Sequence, residues 1–171
     1  MIGYVVSLIV FNLAVFCANK RLSPGQIVQI WTFTIASHLV FDVYIDYKYH
    51  GYWYFTKGVD WENLPGMICL LPPVNILYLN WFPFGKRWPK KILYIAVWEV
   101  LMLGYEWITL LPAPWGYFHY EWWDFTISAL VNPLLLLIVA GFYKWVVWLE
   151  NKKLYLLSSS YSETVRFFCR R

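Results

Sequence analysis

The sequence predicts an all-α integral membrane bundle of five transmembrane helices, with the amino terminus outside and the carboxyl terminus in the cytoplasm. Three observations carry this. Five apolar stretches reach or approach bilayer length. The chain is 60% hydrophobic and only 14% charged, with a mean hydropathy of +0.47, which is more apolar surface than a soluble domain of 171 residues can hide. Twelve of the fourteen Lys and Arg fall in alternate segments between the stretches.

The first stretch, Ile2 to Ala18, has no Lys or Arg ahead of it, and Lys20 and Arg21 follow it. That reverses the charge order of a signal peptide, and Asn12 and Cys17 make no small-residue cleavage site, so it reads as a retained helix. The second runs from Ile27 to Tyr47, the third from Met67 to Phe82, the fourth from Ile92 to Leu111 and the fifth from Phe125 to Leu149. A hydrocarbon core of about 30 Å needs roughly 20 residues at about 1.5 Å each. By that measure the third stretch is short, and Pro72 and Pro73 break it early, while Pro133 should kink the fifth. Asn75 and Asn132 lie beside these breaks. They either satisfy freed backbone groups and neighbouring helices or mark a polar path through the bundle.

Residues 1–150 therefore form the transmembrane domain, and residues 151–171 form a short basic cytoplasmic tail. The tail mixes Leu154, Leu156, Leu157, Phe167 and Phe168 with Ser and Arg, a pattern open to an amphipathic segment on the inner leaflet or to no fixed structure.

Charge sets the threading. Lys20 and Arg21 in the first turn, Lys86, Arg87, Lys90 and Lys91 in the third, and Lys144, Lys152, Lys153, Arg166, Arg170 and Arg171 at the end all belong on one side. The second loop has only Lys48 and Lys57, and the fourth has neither Lys nor Arg. The positive-inside rule puts the basic side in the cytoplasm, and five crossings give the same parity. Near the end of the fifth stretch Lys144 can snorkel to the interface, beside Trp145 and Trp148 of an aromatic belt.

The basic residues at membrane edges point to lipid rather than nucleic acid. Cys17, Cys69 and Cys169 are scattered, without metal spacing or an expected disulfide. No sequence signal asks for a cofactor or a metal.

Ionisable groups within the stretches are costly and need an explanation. His38, Asp42 and Asp46 follow at intervals of four along one stripe, drifting about 40° per step. Glu99 and Glu106 are seven apart, nearly two turns, and share a face. Counting about 1.5 Å per residue puts His38 level with Glu99 near mid-membrane and Asp42 level with Glu106 roughly 7 Å outward. The expectation is that the second and fourth stretches face each other through these groups. No Lys or Arg lies at that depth. The acids are then protonated and hydrogen-bonded as a structural lock, or they hold a proton or cation on a path, or with His38 they ligate a metal, for which no HExxH or His-rich pattern exists.

The outer loops are unusually aromatic. One carries Tyr47, Tyr49, Tyr52, Trp53, Tyr54, Phe55 and Trp61, and the other Trp115, Tyr117, Phe118, Tyr120, Trp122 and Trp123. Asp60, Glu62, Glu121, Asp124, His50 and His119 are interleaved with them. An interfacial belt explains this. So does an outer face through Trp53, Trp61, Trp115, Trp122 and Trp123 that docks a lipid headgroup, a glycan or a partner helix. Asp60 and Glu62 are a conceivable acid–base pair, but no nucleophile motif, Walker loop or dinucleotide fingerprint accompanies them.

The order of features resembles a family of small, uncharacterised multi-pass membrane proteins found mainly in endospore-forming Gram-positive bacteria. The matching residues are Asn19-Lys20-Arg21, Trp61-Glu62-Asn63-Leu64-Pro65, Pro89-Lys90-Lys91, Trp98-Glu99, Tyr105-Glu106 and Trp122-Trp123. The Ser-containing tail and Pro112-Ala113-Pro114 depart from the pattern. The resemblance implies a multi-pass cell-membrane protein of the bacterial envelope with a possible tie to sporulation, and it brings no activity.

Three functions are consistent with the sequence. The leading one is a non-enzymatic envelope protein acting through the outer aromatic face, in contact with the lipid bilayer and with a second copy or another membrane protein. The next is a small proton- or cation-coupled carrier or channel subunit using His38, Asp42, Glu99 and Glu106, against which stands the absence of internal repeats. The last is a membrane-embedded lipid-modifying enzyme.

Overall fold

A computed structural model describes residues 2–18, 20–59 and 61–168, with the side chains of residues 154 and 156–168 excepted. Asn19, Asp60, Cys169, Arg170, Arg171 and the tail side chains Leu154, Leu156, Leu157, Arg166, Phe167 and Phe168 lie outside the described residues.

The fold is all-α apart from one small ribbon. Helix α1 spans Ile2–Ala18, and its Ser7 and Asn12 side chains bond back to the carbonyls of Gly3 and Leu8. Its outer surface, with Val5, Val6, Ile9, Val10, Leu13 and Phe16, stays exposed. The next turn is fixed by Asn80, whose amide accepts from Lys20 N and Arg21 N and donates to the Ala18 carbonyl. Ser23 and Gln26 then form a capping box, with Pro24 in the first helical turn, so α2 begins at Pro24 and runs to Asp42.

Beyond Asp42 the helix widens to a π turn over Val43–Lys48. The sequence reading carried an ordinary α-helix through this segment. The π turn is followed by strand β1, Tyr52–Trp53.

The third stretch differs most from expectation. Helical structure starts at a 3-10 turn, Trp61–Asn63, continues as α3, Leu64–Cys69, and after a break at Leu70 resumes as α4, Leu71–Trp81. Pro72 and Pro73 sit in the opening turn of α4, where missing N–H groups are tolerated, so they shape the break without ending the span. Among the described residues Trp61–Trp81 is thus one of four stretches long and apolar enough to cross a membrane, with Pro24–Lys48, Trp88–Thr109 and Phe125–Lys153. The short one is α1, at 17 residues.

Helix α5, Trp88–Thr109, follows Arg87 and carries Pro89 in its first turn. Strand β2, His119–Tyr120, follows. Helix α6, Phe125–Phe168, is capped by Asp124, whose Oδ1 accepts from Thr126 N and Ile127 N, and it runs past residue 150 and through Pro133 without interruption.

Helix α4 is the centre of the bundle. It packs on α1, α2, α3 and α6, and Ile76, Leu77, Tyr78 and Leu79 are buried. Helix α5 is peripheral, docked on α6: 6% of its apolar window is buried against 56% for Trp61–Trp81. The expected seam between α2 and α5 does not form, because α2 packs on α3, α4 and α6 instead.

Asn75 donates to Thr34 of α2 at 3.0 Å, and Asn132 reaches Glu99 of α5 at 3.5 Å, so both amides join helices. The carbonyl freed by the proline pair goes elsewhere. Cys69 O has Pro72 and Pro73 at the i+3 and i+4 positions, neither of which has an N–H. Asn12 of α1 supplies the donor at 2.6 Å. Gly66 makes room for this contact between α1 and α3, since a Cβ there would press on the Tyr4 ring.

Candidate functional site

Both aromatic loops and the start of α1 gather at one end of the bundle, and the basic turns gather at the other. Ile2 N donates to Pro114 O, and Glu121 N and Trp123 N both donate to Gly51 O. Gly116 is needed here, because a Cβ would overlap the Leu111 carbonyl oxygen.

The loops are joined by the antiparallel pairing of β1 with β2, Tyr52 opposite Tyr120 and Trp53 opposite His119. Alternation gives the ribbon two faces. Tyr52, Tyr54, Phe118 and Tyr120 are linked by ring contacts on one face. Trp53 stacks on His119 on the other, with centroids 3.9 Å apart, and Lys57 pairs with Glu121 beside them.

The cross-strand tyrosines each reach one acid inside the bundle. Tyr52 donates to Asp42 Oδ1 at 2.6 Å, and Tyr120 donates to Glu106 Oε1 at 2.6 Å. Glu106 Oε1 also accepts from Ser128 at 2.5 Å, and Ser128 accepts from the Trp123 indole at 2.8 Å. Asp42 is completely buried, and its Oδ2 lies 3.2 Å from His38 Nε2. Each acid accepts from a hydroxyl, in place of the expected Asp42–Glu106 contact. The two are connected through the ribbon above them.

Burial, followed by the Asp42 charge and hydrogen bond, holds the Tyr52 phenol above the usual tyrosine range. Burial, followed by the Glu106 bond, does the same to Tyr120. Both phenols therefore stay protonated donors at neutral pH. Desolvation lowers His119, which keeps the ring stacked on Trp53 neutral.

The remaining expected residues are dispersed. Asp46 is buried on the π turn. Glu99 faces Asn132, and its Oε2 has no hydrogen-bond partner. His38 pairs with Asp42 and not with Glu99. Trp61, Trp115 and Trp122 are exposed and Trp53 is half-buried, whereas Trp123 points inward beneath the ribbon, edge-on to Tyr52. Trp122 turns its indole N–H to Tyr49 O at 2.6 Å. Among the described residues, no group of three or more His, Cys, Asp or Glu is placed to hold a metal ion.

The tyrosine donors, Ser128, Asn12 and Asn80 were missed in the sequence. The signal for the tyrosines was present in the alternation Tyr52-Trp53-Tyr54 and Phe118-His119-Tyr120, a strand pattern read only as aromatic content.

No family model, curated protein or solved structure matches this chain.

Proposed function

We propose that the protein is a non-enzymatic multi-pass protein of the cell envelope that presents a rigid aromatic cap on the outer face of the membrane. In this reading all five stretches cross the membrane with the amino terminus outside, and four of them are long and apolar enough to do so among the described residues. One observation carries the reading: the two tyrosines paired across the ribbon are each anchored to a separate buried carboxyl, which ties the outer loops to the bundle. This leaves Trp53, His119, Trp61 and Trp115 as the outward surface, while the acids are engaged below it. Donor-satisfied carboxyls of this kind suit a lock better than a path.

A second reading, a proton- or cation-handling subunit, draws on the His38–Asp42 pair and on the unpartnered Glu99 Oε2. One complementation experiment in a deletion strain separates the two. The Asp42→Asn, Glu106→Gln double variant keeps acceptors for both tyrosines but cannot ionise. It should insert normally and restore the wild-type phenotype. The Trp53→Ala, Trp61→Ala variant should insert and fail to restore it. The opposite pattern would replace the cap with the ion path.

A further inference from the structure

At the end of the bundle away from the ribbon, a groove of about 340 Å³ opens between the α1–α2 turn, the α4–α5 turn and α6. Its walls include Arg21, Phe84, Tyr143, Lys144 and Trp148. Arg21 is held in place: its Nη1 donates to Phe82 O at 2.8 Å, and its guanidinium lies 4.8 Å over the Phe84 ring. Arg21 also interacts with the Tyr143 side chain on the groove wall, and Lys144 lines the same groove. Among the described residues neither cation has an acidic partner, the ion pairs being His38–Asp42 and Lys57–Glu121. The nearby Glu150 is engaged by the Gln26 amide.

We propose that this groove is a binding site for an anionic phospholipid, with the headgroup phosphate between Arg21 and Lys144. The proposal rests on the chain crossing a membrane. Two unpaired cations in one concave site complement a phosphodiester, and a guanidinium already fixed by backbone and ring loses little freedom on binding. Phe84, Val147 and Trp148 supply apolar walls for the glycerol and upper acyl carbons, at the level where aromatic side chains meet headgroups. An acyl chain can leave along the exposed surface of α6, past Trp145. A soluble anion would use only the two charges and none of these walls.

The test uses the full chain in neutral detergent micelles, with phosphatidylglycerol and phosphatidylcholine offered in equal amounts and bound lipid read by native mass spectrometry. Phosphatidylglycerol should be preferred by roughly tenfold or more, because both lipids offer the phosphodiester but phosphatidylcholine adds a quaternary ammonium that the two cations repel. Excess glycerol phosphate should not displace it. The Arg21→Gln, Lys144→Gln variant should lose the preference, while Arg21→Lys keeps most of it. Lys144→Gln alone, at a residue with no hydrogen bond or ion pair to another side chain among the described residues, should lower it about threefold, which covers the case where the double variant misfolds. Equal binding of the two lipids by the wild type, displacement by glycerol phosphate, or an unchanged preference in Lys144→Gln would overturn the site. Extraction of the chain from membranes by alkaline carbonate, without detergent, would instead remove the membrane reading itself.

Discussion

The Cys69 carbonyl offers a clean measurement of what one hydrogen bond is worth in this bundle. Its two possible helical donors are proline nitrogens, and Asn12 Nδ2 takes their place at 2.6 Å. Asn12→Leu keeps the bulk and removes the donor. The carbonyl then has no partner in a part-buried site, at a cost of about 1–3 kcal/mol for an orphaned group. Bonds between membrane helices fall at the low end of such values, so about 1.5 kcal/mol is expected, roughly a tenfold shift in the folding equilibrium. Pro73→Ala restores an N–H at i+4, and in that background Asn12→Leu should cost less than about 0.5 kcal/mol. The coupling of about 1 kcal/mol is the quantity to measure. Unfolding in mixed micelles by increasing sodium dodecyl sulfate, followed by tryptophan fluorescence, reports all four proteins of the cycle. If Asn12→Leu costs the same with Pro73 as with Ala at that position, the substitution acts through packing and the orphaned-carbonyl argument is wrong.

Two further outcomes are expected. Membrane-impermeant thiol reagents applied to intact cells should label a cysteine at the exposed Val59 and spare one at Gly85, in a variant lacking the native cysteines. The reverse would invert the threading. Gly116 is unsuitable for the probe because any side chain there meets Leu111 O. Alkaline pH should loosen the cap: the folded protein keeps the Tyr52 and Tyr120 protons beyond the unfolded value, so stability is full below about pH 10 and declines as pH rises past it. Hydrogen exchange of the ribbon amides should accelerate above that pH in the wild type. Equal acceleration in Tyr52→Phe, Tyr120→Phe would show that other groups titrate.

The sequence made the helices legible because apolar length and proline placement act locally. It offered a bond to a neighbouring helix as one of the readings of Asn75 and Asn132, and both amides do reach another helix. It matched the depths of Asp42 and Glu106, but depth leaves open which helices are neighbours. That depends on the small, proline-bent α4 filling the centre, with α5 docked outside on α6. Each acid found a hydroxyl from the loop that follows its own helix, and the carboxyl pair was never needed. Trp122 and Trp123 were both read as part of the outer face; the two neighbouring residues point in different directions, Trp122 exposed and Trp123 buried with its indole on the Ser128 hydroxyl.

The spacing of those donors bears on how the chain is made. Asp42 finds Tyr52 ten residues later, and Glu106 finds Tyr120 and Ser128 fourteen and twenty-two residues later. Each costly carboxyl can therefore be satisfied by the segment leaving the ribosome just behind it, before distant helices exist. The ties from Asn12 to Cys69 and from Asn80 back to the first turn span about sixty residues and need the third helix in place. The ribbon, joining residues 52 and 120, closes only once α3, α4 and α5 have been made. Sequence separation thus divides the contacts into local neutralisation and long-range closure, and a chain ending after α5 would lack the second strand of the ribbon.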